Sequence, residues 1–326
     1  MNNLLSTAGP KFAQVLIAVF GFLAIMAVIF WIAGRANGRK VKPIANIVFL
    51  GPAAILLLLG LIVPAFQTIA FSFKGEDSKS WVGFANYHWI FTDPDMRQVL
   101  FNTFLWILIV PIFVTFLGLL LAVFMDRMKR ESLPKSLLFM PMAISFVGAS
   151  IIWRFVYNYS NPYQPQVGLL SAIVKGLGGH PQNWLLDKPL NTFLLMLIFI
   201  WVQTGFGMVI LSAAIKAVPS DIVEASALDG AYGFRLFRYI TFPAVRSTFI
   251  VVLATQVVGA LKIFDVVRTM TGGNFGTNVL ANEMYAQIFV QFNQGKGAAL
   301  AIVLFLLVIP VLLFNMRNLR LERSER

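Results

Sequence analysis

Residues Glu224–Pro243 read EASALDGAYGFRLFRYITFP. This stretch is a polar, charged island between two long apolar segments, with Asp221, Glu224, Asp229, Arg235, Arg238 and Arg246 in or beside it. Ile222, Ala225, Leu228 and Tyr232 recur at three- and four-residue steps, which predicts a short amphipathic helix over its first half. Ser220 follows Pro219 at the N-cap position, and Asp221 falls in the first turn, where the helix dipole favours a negative charge. Gly230 and Gly233 end or bend that helix, and Pro243 marks the start of the next element. A charged helix held at the end of apolar segments is built to dock into another protein.

The rest of the chain shows what it is held by. Of 326 residues, 58% are hydrophobic and only 12% charged. Soluble proteins carry roughly 25% charged residues, so composition alone predicts a polytopic membrane protein. Seven uncharged or nearly uncharged runs are long enough to cross a bilayer as helices. They are Phe12–Ala33, Ala45–Phe73, Val99–Met125, Ser136–Tyr157, Pro189–Ile215, Ser247–Val267 and Gly297–Met316. Lipid cannot satisfy exposed backbone groups, so these spans must be helical. Leu169, Leu170, Ile173, Val174 and Leu177 add one short surface helix inside the long loop between Asn158 and Lys188.

The formal net charge is +12, which in a soluble chain would suggest nucleic acid. Its placement gives another reading. Sixteen of the 26 Lys and Arg fall in the segments 35–42, 127–135, 216–246 and the tail, against seven on the other side and three in or near spans. This asymmetry places the basic side, with the 217–246 loop and the C-terminus, in the cytoplasm and the N-terminus outside. Lys11 alone precedes the first apolar run, whereas Arg35, Arg39, Lys40 and Lys42 follow it, which argues for an uncleaved span rather than a signal peptide.

Catalysis finds no support. His88 and His180 belong to no ligand cluster, cysteine is absent, and no metalloprotease, nucleophile-elbow or phosphate-binding-loop motif occurs. The chain is not expected to hydrolyse ATP, bind a cofactor or hold a metal. Inside the spans, polar residues are the informative class because they are costly there. Gln203 and Thr204 sit midway along the fifth span beside Trp201, Gly205, Phe206 and Gly207; Gln256 sits midway along the sixth, followed by Gly259 and Ala260. Rings, amides and small residues grouped in this way can hold a polar solute, but Gln and small residues equally serve as glue between helices. Lys262 and Asp265 are spaced to pair on one helix face, and Arg154 is placed to snorkel from the fourth span. Asn102, Thr103 and Thr115 read as packing residues.

Glu224-Ala225-Ser226, with Gly230 after three residues, Ile240 after nine more and Pro243 beyond, resembles the EAA loop of importer-type ABC permeases. That pattern is Glu-Ala-Ala, three residues, Gly, nine residues, Ile, one residue, Leu-Pro. Ser226 stands for its second Ala and Phe242 for its Leu. Val82-Gly83-Phe84-Ala85-Asn86-Tyr87 and Met270-Thr271-Gly272-Gly273 extend the resemblance to the maltose-type, carbohydrate branch, from about Ile47 to the C-terminus. It implies an all-α membrane protein of about seven transmembrane helices: a six-helix permease core over 45–326, with its cytoplasmic coupling loop at 217–246, plus an N-terminal extra helix and basic linker over 1–44. It implies an ATP-driven importer of a sugar or oligosaccharide in a bacterial or archaeal plasma membrane. The expected partners are an ABC ATPase dimer, a second homologous permease and an extracytoplasmic sugar-binding protein.

Site residues follow by position. Glu224, Ala225, Ser226, Asp229, Gly230, Ile240 and Pro243 fall on the ATPase-coupling loop, and Gln203 and Phe206, with Gln256, Gly259 and Ile263, fall where the family contacts sugar. Two other readings remain open: import of a different small polar solute, or secondary transport driven by an ion gradient. Against the second, no acid sits mid-span; Asp126 and Asp265 are both near span ends.

Overall fold

The computed structural model describes residues 50–126, 128–161 and 163–325, with Gln14 and residues 19–21, 23–24 and 26–28. The first expected span, Phe12–Ala33, and the basic linker after it therefore lie largely outside the described residues, although those described between 14 and 28 are helical. The chain divides into two compact units at Gln67–Thr68. Helix α1, Leu50–Ser72, runs across that division and carries one π-helical turn at Leu58–Ile62.

The second unit is built of helices. In order they are α2 (Ala85–Thr92), α3 (Pro94–Met125), α4 (Ser132–Phe139, extended by a 3₁₀ turn to Ala143), α5 (Phe146–Val156) and α6 (Leu169–Gly176). Then come α7 (Leu190–Lys216), α8 (Ser220–Leu228), α9 (Phe234–Leu261), α10 (Asp265–Met270), α11 (Leu280–Tyr285) and α12 (Gln294–Glu325). Among the described residues the sole strand-like pairing is an isolated bridge between Lys74 and Trp81. Among the described residues five helices (α1, α3, α7, α9 and α12) are long and apolar enough to cross a membrane, and α4 with α5 adds a sixth if counted as one span. Lipid explains their outer faces: Phe101, Phe104, Leu108, Ile112 and Phe116 on α3 are all exposed.

The fourth expected span is broken. Ser132–Ala143 and Phe146–Val156 meet at 102°. Pro141 sits in the 3₁₀ turn, Ile144 is extended, and the Ser145 hydroxyl accepts from the Gly148 amide at 3.1 Å, so a new helix is capped where continuous apolarity suggested one rod. The sixth span also differs. It starts at Phe234 and stops at Leu261, because Lys262 caps it and Phe264 leaves helical geometry before α10 starts at Asp265. Pro243 stands at the start of the α-helical stretch Phe242–Leu261, as expected, but that stretch continues directly from the π turn before it. The π turn Phe237–Thr241 accommodates the proline by carrying the backbone bond from Phe242 back to Phe237.

The core lies between α3 and α7, where Trp106, Val110, Val114, Leu195, Ile198 and Phe199 are buried. Their backbones nearly touch at Gly118 and Gly207: a Cβ on Gly118 would lie 2.8 Å from the Gly207 carbonyl carbon. Polar staples fix one end of the bundle. The Asn102 amide donates to the Gly276 and Asn278 carbonyls at 2.7 and 2.8 Å, Thr103 accepts the Leu280 amide at 3.0 Å, and Asn191 donates to the Phe275 carbonyl at 2.9 Å. Asn102 and Thr103 are packing residues, as expected, and Thr115 is fully buried.

Candidate functional site

Two features stand out, one within the span region and one at the bundle end that carries α8. The first is a cavity of about 410 Å³ between α7, α9 and α12. Gln203 and Phe206 are three residues apart on α7 and share a face; Gln256 and Gly259 repeat that spacing on α9. All four line the cavity, together with Thr255, Lys262 and Asn315. Gln256 is 3% exposed, yet among the described residues neither it nor Gln203 makes a side-chain hydrogen bond. The Asn315 Oδ1 is likewise buried without a partner. Buried polar groups normally find partners, so unused amides around a cavity are suited to a ligand that brings hydroxyls.

Ile263 is not among the lining residues. Because α9 ends at Leu261, the helical period that would carry Gly259 on to Ile263 is interrupted, and Ile263 is buried in the core instead. Lys262 takes its place at the cavity and makes no ion pair with Asp265 among the described residues. The small residues beside Gln203 are packing elements. Gly205 is pressed against the backbone of Leu138 and Phe139, Gly207 against Gly118, and the Thr204 hydroxyl donates to the Ile200 carbonyl at 2.6 Å. Trp201 meets Trp153 edge to face at 5.7 Å rather than lining the cavity. Arg154 is exposed in the last turn of α5 with no ion pair among the described residues, the geometry of a snorkelling side chain.

The second feature is α8. Its N-cap is Pro219, and Ser220 bonds only the Asp221 carboxylate at 3.3 Å, so the expected serine cap is absent. Its C-terminus forms as expected: Gly230 has φ +76°, its amide donates to the Ala227 carbonyl, and the Ala231 amide donates to the Ser226 carbonyl. Glu224, Ala225, Asp229 and Gly230 are exposed, whereas Ser226 is buried and donates to the Val223 carbonyl at 2.7 Å. Ile240 is half-buried in the π turn and Pro243 is exposed. Around them Leu228 is 91% exposed, Phe234 76% and Tyr239 70%, an apolar crest rimmed by charge.

At the end of α7 that leads to α8, an ion cluster ties three helices. The Lys135 ammonium of α4 reaches the Asp126 carboxylate at the end of α3, Glu131 Oε2 at 2.7 Å and the Ser212 hydroxyl of α7 at 2.6 Å. Ser212 donates to Asp126 at 2.7 Å, and Lys216 pairs with Glu131. Only the Glu131–Lys135 spacing is visible in the sequence, since Ser212 lies 77 residues from Lys135. Hydrogen bonds from Lys135 and then Lys216 lower the Glu131 carboxyl from 4.5 to about 2. A depressed acid stabilises the fold above its unfolded value and loses that contribution as pH falls through the folded one. Thermal melts of detergent-solubilised protein should therefore weaken between about pH 4.5 and 2. Glu131→Gln should remove that part of the acid dependence while lowering stability at neutral pH.

With this geometry in place, comparison with known proteins is specific. Residues 93–319 match the family described as "Binding-protein-dependent transport system inner membrane component". The alpha-glucoside transport system permease protein AglF of Rhizobium meliloti (strain 1021) is 42% identical over 329 residues, covering 98% of each chain. The osmoprotective compounds uptake permease protein GgtC of Synechocystis is 44% identical over 278 residues, covering 85% of this chain and all of its own. The solved structure of a bacterial ABC transporter for import of the acidic polysaccharide alginate shares the fold, with a TM-score of 0.75 at 19% identity over 87% of this chain and 99% of that one.

Proposed function

Because the chain belongs to the family of inner membrane components of binding-protein-dependent transport systems, we propose that it is the permease subunit that carries a sugar or oligosaccharide across the membrane in an ATP-driven importer. It is a multi-pass membrane transport subunit, and the ATPase is a separate subunit. A second permease and an extracytoplasmic binding protein complete the complex. The observation that carries the sugar reading is the cavity that gathers Gln203, Phe206 and Gln256 with unused amides. Relatives support it: AglF is named for alpha-glucosides, and a 29% identical permease of Thermococcus litoralis for trehalose and maltose.

In this reading α8 and the C-terminus face the cytoplasm, and Leu228, Glu224, Ala225 and Asp229 enter a groove of the ATPase with Gly230 at the turn. Ser226, Ile240 and Pro243 act from behind by holding the angle between α8 and α9. Gln203, Phe206, Gln256 and Gly259 form the sugar path, with Lys262 at its outer end. Ile263 supports the path from the core.

The test is uptake by vesicles carrying the permease pair, the ATPase and the binding protein, with ATP inside and proton and sodium ionophores present. Accumulation of labelled trehalose or maltose is expected; its collapse with the ionophores while ATP persists would indicate a gradient-driven transporter instead. Gln256→Leu keeps the volume and removes the amide. It should lower the uptake rate about tenfold, the worth of one hydrogen bond of roughly 1–1.5 kcal/mol, while ATP hydrolysis stimulated by the loaded binding protein persists.

A further inference from the structure

A second pocket, of about 470 Å³, lies at the bundle end opposite α8, between the α2–α3 turn, the loop before α7 and α11. Its size falls within the range of small-molecule sites, roughly 300–1,000 Å³. Its walls are set in advance. Asp93 caps α3 by accepting the Asp95 and Met96 amides at 3.0 and 3.2 Å. Glu283 spends both oxygens on Asn278 and Gln287, each at 2.7 Å. The Asn102 staple from α3 holds the Gly276 and Asn278 carbonyls.

What remains unspent is the informative part. Gln287 is 2% exposed, and its Oε1 has no hydrogen-bond partner among the described residues. Asp95 and Lys188 also line the pocket and form no ion pair among the described residues. The Lys296 ammonium stands over the Trp89 ring at 4.3 Å and is likewise free of an ion pair among the described residues. The three carboxylates Asp93, Asp95 and Glu283 nearly balance the two ammoniums, so the pocket favours neither an anion nor a cation strongly. Donors and acceptors line the same pocket as an aromatic ring. That is the chemistry of a neutral polyol, whose hydroxyls both give and accept.

We propose that this pocket is a second solute site, which binds a neutral polyhydroxylated molecule of the transported class on the extracytoplasmic face before it enters the membrane cavity. The inference rests on the sugar-import reading for its orientation and ligand class. It assigns Asp95, Lys188 and the buried Gln287 to the hydroxyls, with the Trp89 ring, covered on one face by Lys296, as the apolar wall of the pocket.

The whole importer, without its binding protein, labelled with 5-fluorotryptophan and held in lipid nanodiscs, supplies the test. The ¹⁹F resonance of Trp89 is identified by its absence in Trp89→Phe. Titration with maltose, and separately with trehalose, should shift that resonance saturably. The double variant Asp95→Asn/Lys188→Met should weaken the response about tenfold or more, and Gln291→Ala, at an exposed lining side chain, about threefold. Gln256→Leu should leave it unchanged. No shift with either sugar, a full shift in the double variant, or loss of the shift in Gln256→Leu would each overturn the proposal. So would movement of the resonance only when sugar-free binding protein is added, which would make the pocket a docking point for that protein. Failure of the import reading is distinct: it shows as a normal Trp89 shift in a complex that, returned to sealed vesicles with the binding protein and ATP, accumulates neither sugar.

Discussion

Gly230→Asp is expected to abolish ATP-driven uptake while the subunit still inserts and assembles. The reason lies in what surrounds this glycine. A Cβ built on Gly230 meets nothing within 4 Å, so the chain itself offers no obstacle. The φ of +76° adds strain, on the order of 1–2 kcal/mol for most residues and less for Asp and Asn, which tolerate this region. Folding therefore survives. An ATPase groove that closes over the reversal after α8 would instead meet a new side chain and a new charge. Gly230→Asn separates the two effects by adding bulk without charge; it should lower uptake by less. The measurements are sugar accumulation and nucleotide hydrolysis in vesicles, with membrane insertion checked by a terminal tag. Normal uptake by well-inserted Gly230→Asp would remove α8 from the coupling role.

Gly118→Val is the second, and here the damage is internal. Its Cβ would lie 2.8 Å from the carbonyl carbon of Gly207 and 2.9 Å from the amide nitrogen of Met208. Both are backbone atoms of α7, so no side chain can swing aside. The two helices must separate, and α3 and α7 enclose the main core. Overpacking typically costs about 1–3 kcal/mol, and this contact sits at the upper end because neither partner can move alone. Thermal unfolding in detergent should begin several degrees lower, and the yield of assembled complex should drop. Gly118→Ala should show the same effect in smaller measure. An unaltered melt would mean that α3 and α7 do not approach through these glycines.

Much of this is legible in the sequence. Period and apolarity place α3 and α7 within about five residues, the surface helix at Leu169–Gly176 and the glycine stop after α8, but miss that α9 reaches back to Phe234 and α12 on to Glu325. Gln203, Phe206, Gln256 and Gly259 follow from position along the chain, and they share one cavity. The differences have a common cause. Hydropathy is blind to where an apolar run bends, so the turn at Ser145 and the stop at Leu261 are invisible to it, and the second moves Ile263 from the cavity to the core. Tertiary polar groupings are equally hidden. Ser212 joins Asp126 from 86 residues away, and Gln287 sits on a segment whose sequence reads as an ordinary loop.

The Gly118–Gly207 contact has a mechanical meaning. It is one of three ties within eight residues of α7: Gly205 presses on the backbone of Leu138 and Phe139, Gly207 on Gly118, and Ser212 bonds Asp126 at 2.7 Å. A lever held at three neighbouring fulcrums cannot hinge at any of them, so α3, α4 and α7 act as one stiff beam. From Gln203 to Lys216 is thirteen residues, about 20 Å at 1.5 Å per residue, with no joint between them: the two ends of that beam move together or not at all.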